Sequence, residues 1–317
     1  MRTAAKSMLA RLAGRAGFVR RRLAGRLVVL TFHRVRPDGE PAEGRPMRNL
    51  EVPVRDFRNL LAWMRRRADP VALADWFPGE GEGAAAGAGG LPAAPRRLPC
   101  FAVTFDDGWA DNALYAAPVL EELRIPATIF LATGAVEKRM PFWWQVPGLT
   151  DAGIEGMKSL PPERLERRVR EAPPGVRDAC AKEFLDWTQV RKMAAGGLVR
   201  FGLHGHRHAL MTSLSHTAAL DDLCRCREIL RARVPDALVP FFAWPNGNVR
   251  ADLAPALESL GVRAAFGTRG GVVAPGPLRG GMRWCLPRNN VDRHLAATPE
   301  LWPWLLAKAA LAQRRGG

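Results

Sequence analysis

The chain has 317 residues, 47% hydrophobic and 25% charged, with 47 lysines and arginines against 31 acids and a formal net charge of +16. That apolar content excludes a disordered chain and allows a large buried core, and an odd set of five cysteines without a paired C-x-x-C excludes a disulfide framework and points to a reducing compartment. The basic excess would suit nucleic acid, but the basic residues are scattered and no helix-turn-helix, zinc-finger or RNA-binding pattern occurs, so no nucleic-acid partner is expected and an anionic lipid surface or acidic glycan fits the charge better.

Residues 1–26 are basic, with Arg20, Arg21 and Arg22 in a row, and Met8, Leu9, Leu12, Phe18, Val19 and Leu23 form a broken apolar face. A secretory leader needs a continuous apolar core of about 7–15 residues, which this stretch lacks, and no run approaches the roughly eighteen apolar residues of a membrane span. The expectation is a cytoplasmic protein. Its first 26 residues are either a basic amphipathic helix in peripheral contact with the anionic inner membrane face or a solvated tail.

Leu27 to Phe32 reads as the first core strand, closed by His33. A Pro- and Gly-rich loop follows at 37–46. Val54 to Arg66 is a helix, with Phe57, Leu60, Leu61 and Met64 at helical spacing, and Val71 to Trp76 reads as a short strand and turn. Residues 78–99, rich in Gly, Ala and Pro, read as a flexible insertion. The apolar run from Phe101 to Phe105 is a buried strand that delivers Asp106 and Asp107 to a loop opened by Gly108.

Beyond it come a helix near 113–123, a strand at 127–131, a long polar and helical insertion from Phe142, Trp143 and Trp144 to about residue 180, and a helix at 190–195. Apolar residues 198–203 lead into His204-Gly205-His206-Arg207-His208. A helix at 220–230, strands at 239–243 and 262–266, and the stretch from Leu286 to Val291 complete the body. Residues 296–317 read as a helix with a basic tail. Strands alternating with helices imply an α/β fold with a parallel sheet, closed or nearly closed, and active groups at the strands' C-terminal ends.

Three of the six histidines fall within residues 204–208. His204 and His208 are four apart. On a helical turn their Cβ atoms would lie about 5–6 Å apart and face one way, with His206 pointing elsewhere. That spacing suits two imidazoles on one divalent ion. Two adjacent carboxylates repel each other and need a cation, a proton or good hydrogen bonds. One carboxylate and two histidines make a metal site with open positions, which leaves the other aspartate to act as base.

These residues resemble the polysaccharide deacetylase family, metal-dependent enzymes that remove acetyl groups from sugar polymers. The first family motif, Thr-Phe-Asp-Asp-Gly, stands at 104–108. The second, His-(Ser/Thr)-x-x-His, stands at 204–208 with Gly205 in place of the hydroxyl residue. Phe241 to Gly247 is similar to the third motif, but Ala243 stands where the family has an arginine. Arg288 is then the candidate to supply the cation that keeps a buried aspartate ionised. The family's terminal Leu-x-His strand is absent and His294 lies in a polar segment, whereas His33 closes the first strand. That order resembles the permuted biofilm poly-N-acetylglucosamine deacetylases.

The resemblance implies an irregular (β/α)7 barrel related to the TIM barrel, one domain over 27–295 with insertions, flanked by the segments 1–26 and 296–317. It implies Asp107, His204 and His208 as ligands of a divalent metal, with zinc expected. Asp106 is implied as base and His33 as the acid that protonates the departing amine. Trp109, Trp244, Pro245 and Asn246 are expected to contact the substrate, and the aromatics at 142–144 either stack on a sugar face or form a local apolar plug. The implied activity is hydrolysis of N-acetyl groups on a sugar in a cell-surface glycan or its lipid-linked precursor. Two other readings stand beside it. One is a metal-dependent hydrolase of another amide or ester. The other is an inactive glycan-binding or membrane-associated scaffold, motivated by Ala243.

Overall fold

The computed structural model describes residues 18–40, 46–77, 98–138, 141–276, 278 and 280–312. Most of the predicted amphipathic segment (1–17), most of the predicted flexible insertion (78–97) and the basic tail (313–317) lie outside the described residues.

The strands are β1 (Leu27–Phe32), β2 (Arg34–Arg36), β3 (Glu51–Pro53), β4 (Asp69–Pro70), β5 (Cys100–Phe105), β6 (Ala127–Leu131), β7 (Val199–Leu203), β8 (Leu238–Ala243), β9 (Ala264–Phe266) and β10 (Asn289–Asn290). The main sheet runs β10-β1-β5-β6-β7-β8-β9, with β4 paired to the start of β5, and every pairing is parallel. β2 and β3 form a separate two-stranded sheet.

The curl is almost closed. Phe266 at the end of β9 bridges to Leu286, and a few residues later the same segment becomes β10 on the free edge of β1. The Leu286 amide donates to Ala265 at 2.8 Å. Helices Val54–Arg65, Ala117–Leu123, Trp187–Ala195, His216–Arg233 and Ala254–Ser259 form the outer layer, where the crossovers between parallel strands place them. This is the nearly closed parallel sheet that the alternation of strands and helices implies, and the irregular (β/α)7 barrel that the resemblance implies.

Both faces of the strands are buried, which is why they read as continuous apolar runs. Val28, Leu30 and Phe32 of β1 join Phe101, Val103 and Phe105 of β5 against the helix layer. Leu27, Val29, Ala102, Phe130, Phe241, Ala243 and Phe266 fill the barrel interior. The period of two continues upward. Thr31 and Thr104 share a hydrogen bond of 3.2 Å, and the next inward positions are His33 and Asp106.

One local expectation is corrected and one refined. Residues 71–76 are not a strand and turn: the helical turn Leu73–Trp76 follows the two-residue β4. Leu73 and Trp76, three apart, share one face and bury together against the barrel interior, which a strand would not allow. The helix near 113–123 opens with one turn of π-helix, Asn112–Ala116, before Ala117–Leu123.

Phe57 locks the helix Val54–Arg65 onto the two strands that carry His33 and Asp106. Its ring lies edge-on to Phe32 at 5.0 Å and 5.9 Å from Phe105. Phe57→Ala should cost about 3–5 kcal/mol, read as a lower midpoint in denaturant-induced unfolding.

Candidate functional site

Register builds the centre of the site. β1 and β5 pair residue for residue from Leu27↔Cys100 to Phe32↔Phe105, and the Asp106 amide donates to the Phe32 carbonyl at 3.1 Å. His33 and Asp106 therefore leave the two strands side by side. β7 ends at Leu203, and the His204 amide donates to Leu131 of β6 at 3.1 Å, so His204 enters the same mouth.

Asp106 is buried and gripped at both oxygens by Arg288. Nη1 donates to Oδ1 at 2.6 Å and Nη2 to Oδ2 at 2.7 Å, while Nε donates to the Gly267 carbonyl at 2.9 Å. Arg288 itself is fully buried. Burial raises the Asp106 pKa, but the charge and hydrogen bonds of Arg288, together with His204 and His33, outweigh it and hold the carboxyl below its usual range. Ala243, where the resemblance expects an arginine, does different work: its carbonyl faces Nδ1 of His204 at 2.8 Å.

That contact fixes the tautomer. A carbonyl only accepts, so Nδ1 of His204 carries the proton and Nε2 presents its lone pair. Nε2 of His204 lies 3.4 Å from Asp107 Oδ1, and Nε2 of His208 lies 3.1 Å from the same oxygen. The donor atoms of Asp107, His204 and His208 all fall within 4.8 Å of one another. Two donors about 2.0–2.1 Å from one tetrahedral ion would stand about 3.3 Å apart, so the donor set fits a divalent ion. Without a positive charge among them, the imidazole lone pairs would face a carboxylate. Burial pushes Asp107 up, yet His208 and then His204 hold it well below the carboxylate range. Burial lowers His204, and Asp106 and Asp107 more than reverse it.

The two histidines do not converge on a helical turn, contrary to the spacing argument. The chain leaves β7 through a loop in which Gly205 has φ +77° and His208 φ +53°. A Cβ at Gly205 would meet Asp222 Oδ1 at 2.7 Å, so this position of the motif admits only glycine here. Asp222, buried in the helix His216–Arg233, ties the loop by accepting the amides of His206 at 2.7 Å and Arg207 at 3.0 Å. His206 turns away from the ligand set, as expected, and its Nδ1 meets Thr133 Oγ1 at 3.0 Å.

Asp107 is also in the left-handed region, at φ +78°, followed by Gly108 at +93°. Such a conformation costs a non-glycine residue about 1–2 kcal/mol, and surrounding contacts must hold it. Trp109 is one. Its indole N–H donates to Asp107 Oδ2 at 2.9 Å, and its ring stacks on Phe184 at 4.7 Å with Arg34 over the other face at 4.2 Å. Arg34 is fixed by Asp111 at 2.7 Å and by Glu183. Asp111 and Asp222 are positioning groups that carried no recognisable signal. Each is one acid among many until the fold buries it.

His33 lines the mouth, and its Nδ1 is buried with no hydrogen-bond partner. Burial lowers its pKa more than Asp107 and Asp106 raise it. That makes His33 a stronger acid when protonated, at lower occupancy of the protonated form. Of the expected substrate contacts, Asn246 lines the cavity, and Trp109 does too, although its polar atom serves Asp107. Trp244 and Pro245 are corrected: both are buried, and the Trp244 indole donates to the Trp284 carbonyl at 2.7 Å in the core behind the mouth. The cavity measures about 680 Å³ and is floored by His33, Asp106, Asp107, His204 and His208. Phe142 and Trp144 pack on the His208 ring at 4.8 and 5.0 Å, so these aromatics wall the ligand set itself.

The model of the polysaccharide deacetylase family matches residues 94–265. The span covers both motifs but leaves out β1 with His33 and the segment with Arg288. No curated protein matches the chain. Among solved structures, IcaB from Ammonifex degensii is similar at 22% identity and a TM-score of 0.56, over 90% of this chain and 97% of that one. PplD from Streptococcus pyogenes, a deacetylase in complex with acetate, is similar at 16% identity and 0.59, over 90% and 99%. The BpsB deacetylase domain from Bordetella bronchiseptica is similar at 18% identity and 0.53, over 85% and 97%. At these identities the likeness is one of fold.

If Trp109 holds Asp107 for an ion, Trp109→Phe should keep the stack and lose the hydrogen bond. Zinc affinity, measured by competition with a chromophoric chelator, should fall about 10–100-fold. Unchanged affinity would leave the indole N–H without that role.

Proposed function

Because the chain belongs to the polysaccharide deacetylase family, whose model spans residues 94–265, we propose that it removes N-acetyl groups from a sugar in a cell-surface glycan or its lipid-linked precursor. The chain is a hydrolase of amide bonds. In our reading Asp107, His204 and His208 hold a divalent ion, with zinc the choice suited to two imidazoles and one carboxylate. The observation that carries the reading is the meeting of those three donors beside the arginine-clamped Asp106 in one cavity.

The roles follow from the charges. Arg288 keeps Asp106 ionised, so Asp106 has the lone pair to take a proton from the attacking water. Asp107 is occupied by the two histidines and Trp109, which separates its task from its neighbour's. A bound ion supplies polarisation of the acyl carbonyl and a lowered pKa for water. His33 gives its proton to the nitrogen as the C–N bond breaks, since an amine leaves poorly unprotonated. The aromatic wall of Phe142 and Trp144 excludes water from one side of His208.

Ala243 is the one feature that favours an inactive scaffold, and Arg288 answers it by delivering the missing charge from another segment. Residence in the cytoplasm, with basic residues 1–26 against an anionic membrane face, belongs to the same proposal. It is supported by the net charge of +16 and by five free thiols. Among the described residues no helix is long and apolar enough to cross a membrane.

Acetate release from N-acetylglucosamine oligomers should be abolished by a chelator and restored by zinc. Release that ignores the chelator would defeat the metal reading, and no release from any acetylated glycan would defeat the substrate reading. His33→Ala should lower turnover on an amide substrate by about 10²–10⁴-fold with metal content unchanged. Near-normal turnover would remove His33 as the acid.

A further inference from the structure

The cavity has a second part that the hydrolytic site does not use. The insertion between β6 and β7 lays the helices Asp151–Met157 and Pro162–Glu171 across the mouth of the barrel as a roof. Three polar ties hold it down. The Met47 amide donates to Asp151 Oδ1 at 2.7 Å, Lys158 Nζ donates to Asn246 Oδ1 at 2.8 Å, and Arg207 Nη1 donates to Glu166 Oε1 at 3.3 Å. These ties reach three different loops around the mouth, so the roof spans it and encloses the space beneath.

Aliphatic side chains form one wall of that space: Met47, Leu50, Leu149, Ile154, Leu165 and Val169 line the same cavity as the ligand set, with Glu166, Arg170 and Asn246 at its polar rim. The charged groups of the roof are paired with one another or with neighbouring loops, Arg170 with Glu166 at 3.7 Å among them. Lys158 pairs with Glu155 at 2.7 Å, Arg207 with Asp222 at 3.1 Å, and Gln145 accepts from the Phe142 amide at 2.7 Å. A run of sugar hydroxyls lying there would exchange water for hydrocarbon and leave hydrogen bonds unmade. A methylene chain would lose nothing polar and gain burial. The cavity, about 680 Å³, falls in the range of about 300–1,000 Å³ that encloses most of a drug-sized ligand.

We infer that the roofed compartment takes an aliphatic chain carried by the same molecule whose amide is cleaved. The inference rests on the reading of the cavity floor as the amide-hydrolysis site and narrows the substrate to an amphipathic one. The chain can enter from two chemical sources, an N-acyl group longer than acetyl or an alkyl group at the anomeric position. Both present the same hydrocarbon to the wall.

Calorimetric titration of the full-length chain separates these sources and needs no turnover. Three probes are used below their micellar concentrations: the methyl glycoside of N-acetylglucosamine, its octyl glycoside, and N-octanoylglucosamine. Each buried methylene should tighten binding about fourfold, so burial of three or four of the added methylenes should make one of the eight-carbon probes bind about 10²-fold tighter than the methyl glycoside. The arm that gains identifies the source. Val169→Gln should collapse the ratio of octyl to methyl affinity, and Leu149→Gln serves as a second variant if the first fails to fold. Equal affinity for all three probes, or an octyl-to-methyl ratio that survives both substitutions, would overturn the inference. Chain-dependent binding without release of acetate or octanoate from any of the probes would instead contradict the proposed amide hydrolysis and leave the compartment standing.

Discussion

Two neighbouring carboxylates, Asp106 and Asp107, are buried at the mouth of the barrel, and both are held below their usual pKa range. Burial alone would protonate them, and their mutual repulsion would add to that. Each therefore needs its own positive partner, and neither finds it nearby in the chain. Asp106 takes Arg288, which lies 182 residues away. Asp107 faces His204 and His208 from the loop after β7, and the divalent ion the three would hold supplies its charge. The barrel satisfies this demand by bringing the ends of β5 and β7 and the segment before β10 to one point. The near-closure of the sheet between Phe266 and Leu286 is what brings Arg288 within reach of Asp106.

The site also carries backbone strain that its neighbours hold in place. Asp107 and His208 both occupy the left-handed region, where a non-glycine residue is disfavoured. The surrounding contacts over-determine them. The end of the insertion straps the first motif, with the Leu185 amide donating to Gly108 at 2.9 Å and the Ala110 amide to Glu183 at 2.7 Å. Asp222 does the same for the histidine loop. The insertion thus has two tasks: its end stiffens the metal-binding turn, and its helices roof the cavity.

Much of this was legible in the sequence. Strands buried on both faces are long apolar runs, so β1, β5, β6, β7 and β8 could be read directly, and Phe57, Leu60, Leu61 and Met64 announced their helix by spacing. The motifs at 104–108 and 204–208 marked the floor of the site because carboxylates and histidines in such patterns have few structural uses. Arg288 was legible through an absence, the missing arginine at Ala243. What escaped depends on the third dimension. A helical turn and a left-handed loop can both bring His204 and His208 together, and only the space beside Gly205 decides between them. Trp244 follows a strand as Trp109 follows one, yet one ring packs in the core and the other holds a ligand. Val71 to Trp76 is too short for its period to separate strand from helical turn. The roof's inner face is drawn from helices whose overall composition is polar, so its aliphatic side was not visible as a site.

The central claim is that Asp107, His204 and His208 hold one divalent ion beside an ionised Asp106 clamped by Arg288. Anomalous diffraction at the zinc edge from crystals of the zinc-loaded protein tests it most directly. The account predicts one strong peak within about 2.0–2.2 Å of Asp107 Oδ1 and of Nε2 on both histidines, with the Arg288–Asp106 pair intact. A peak bound through His206 or Asp106, or none at the mouth of the barrel, would contradict it.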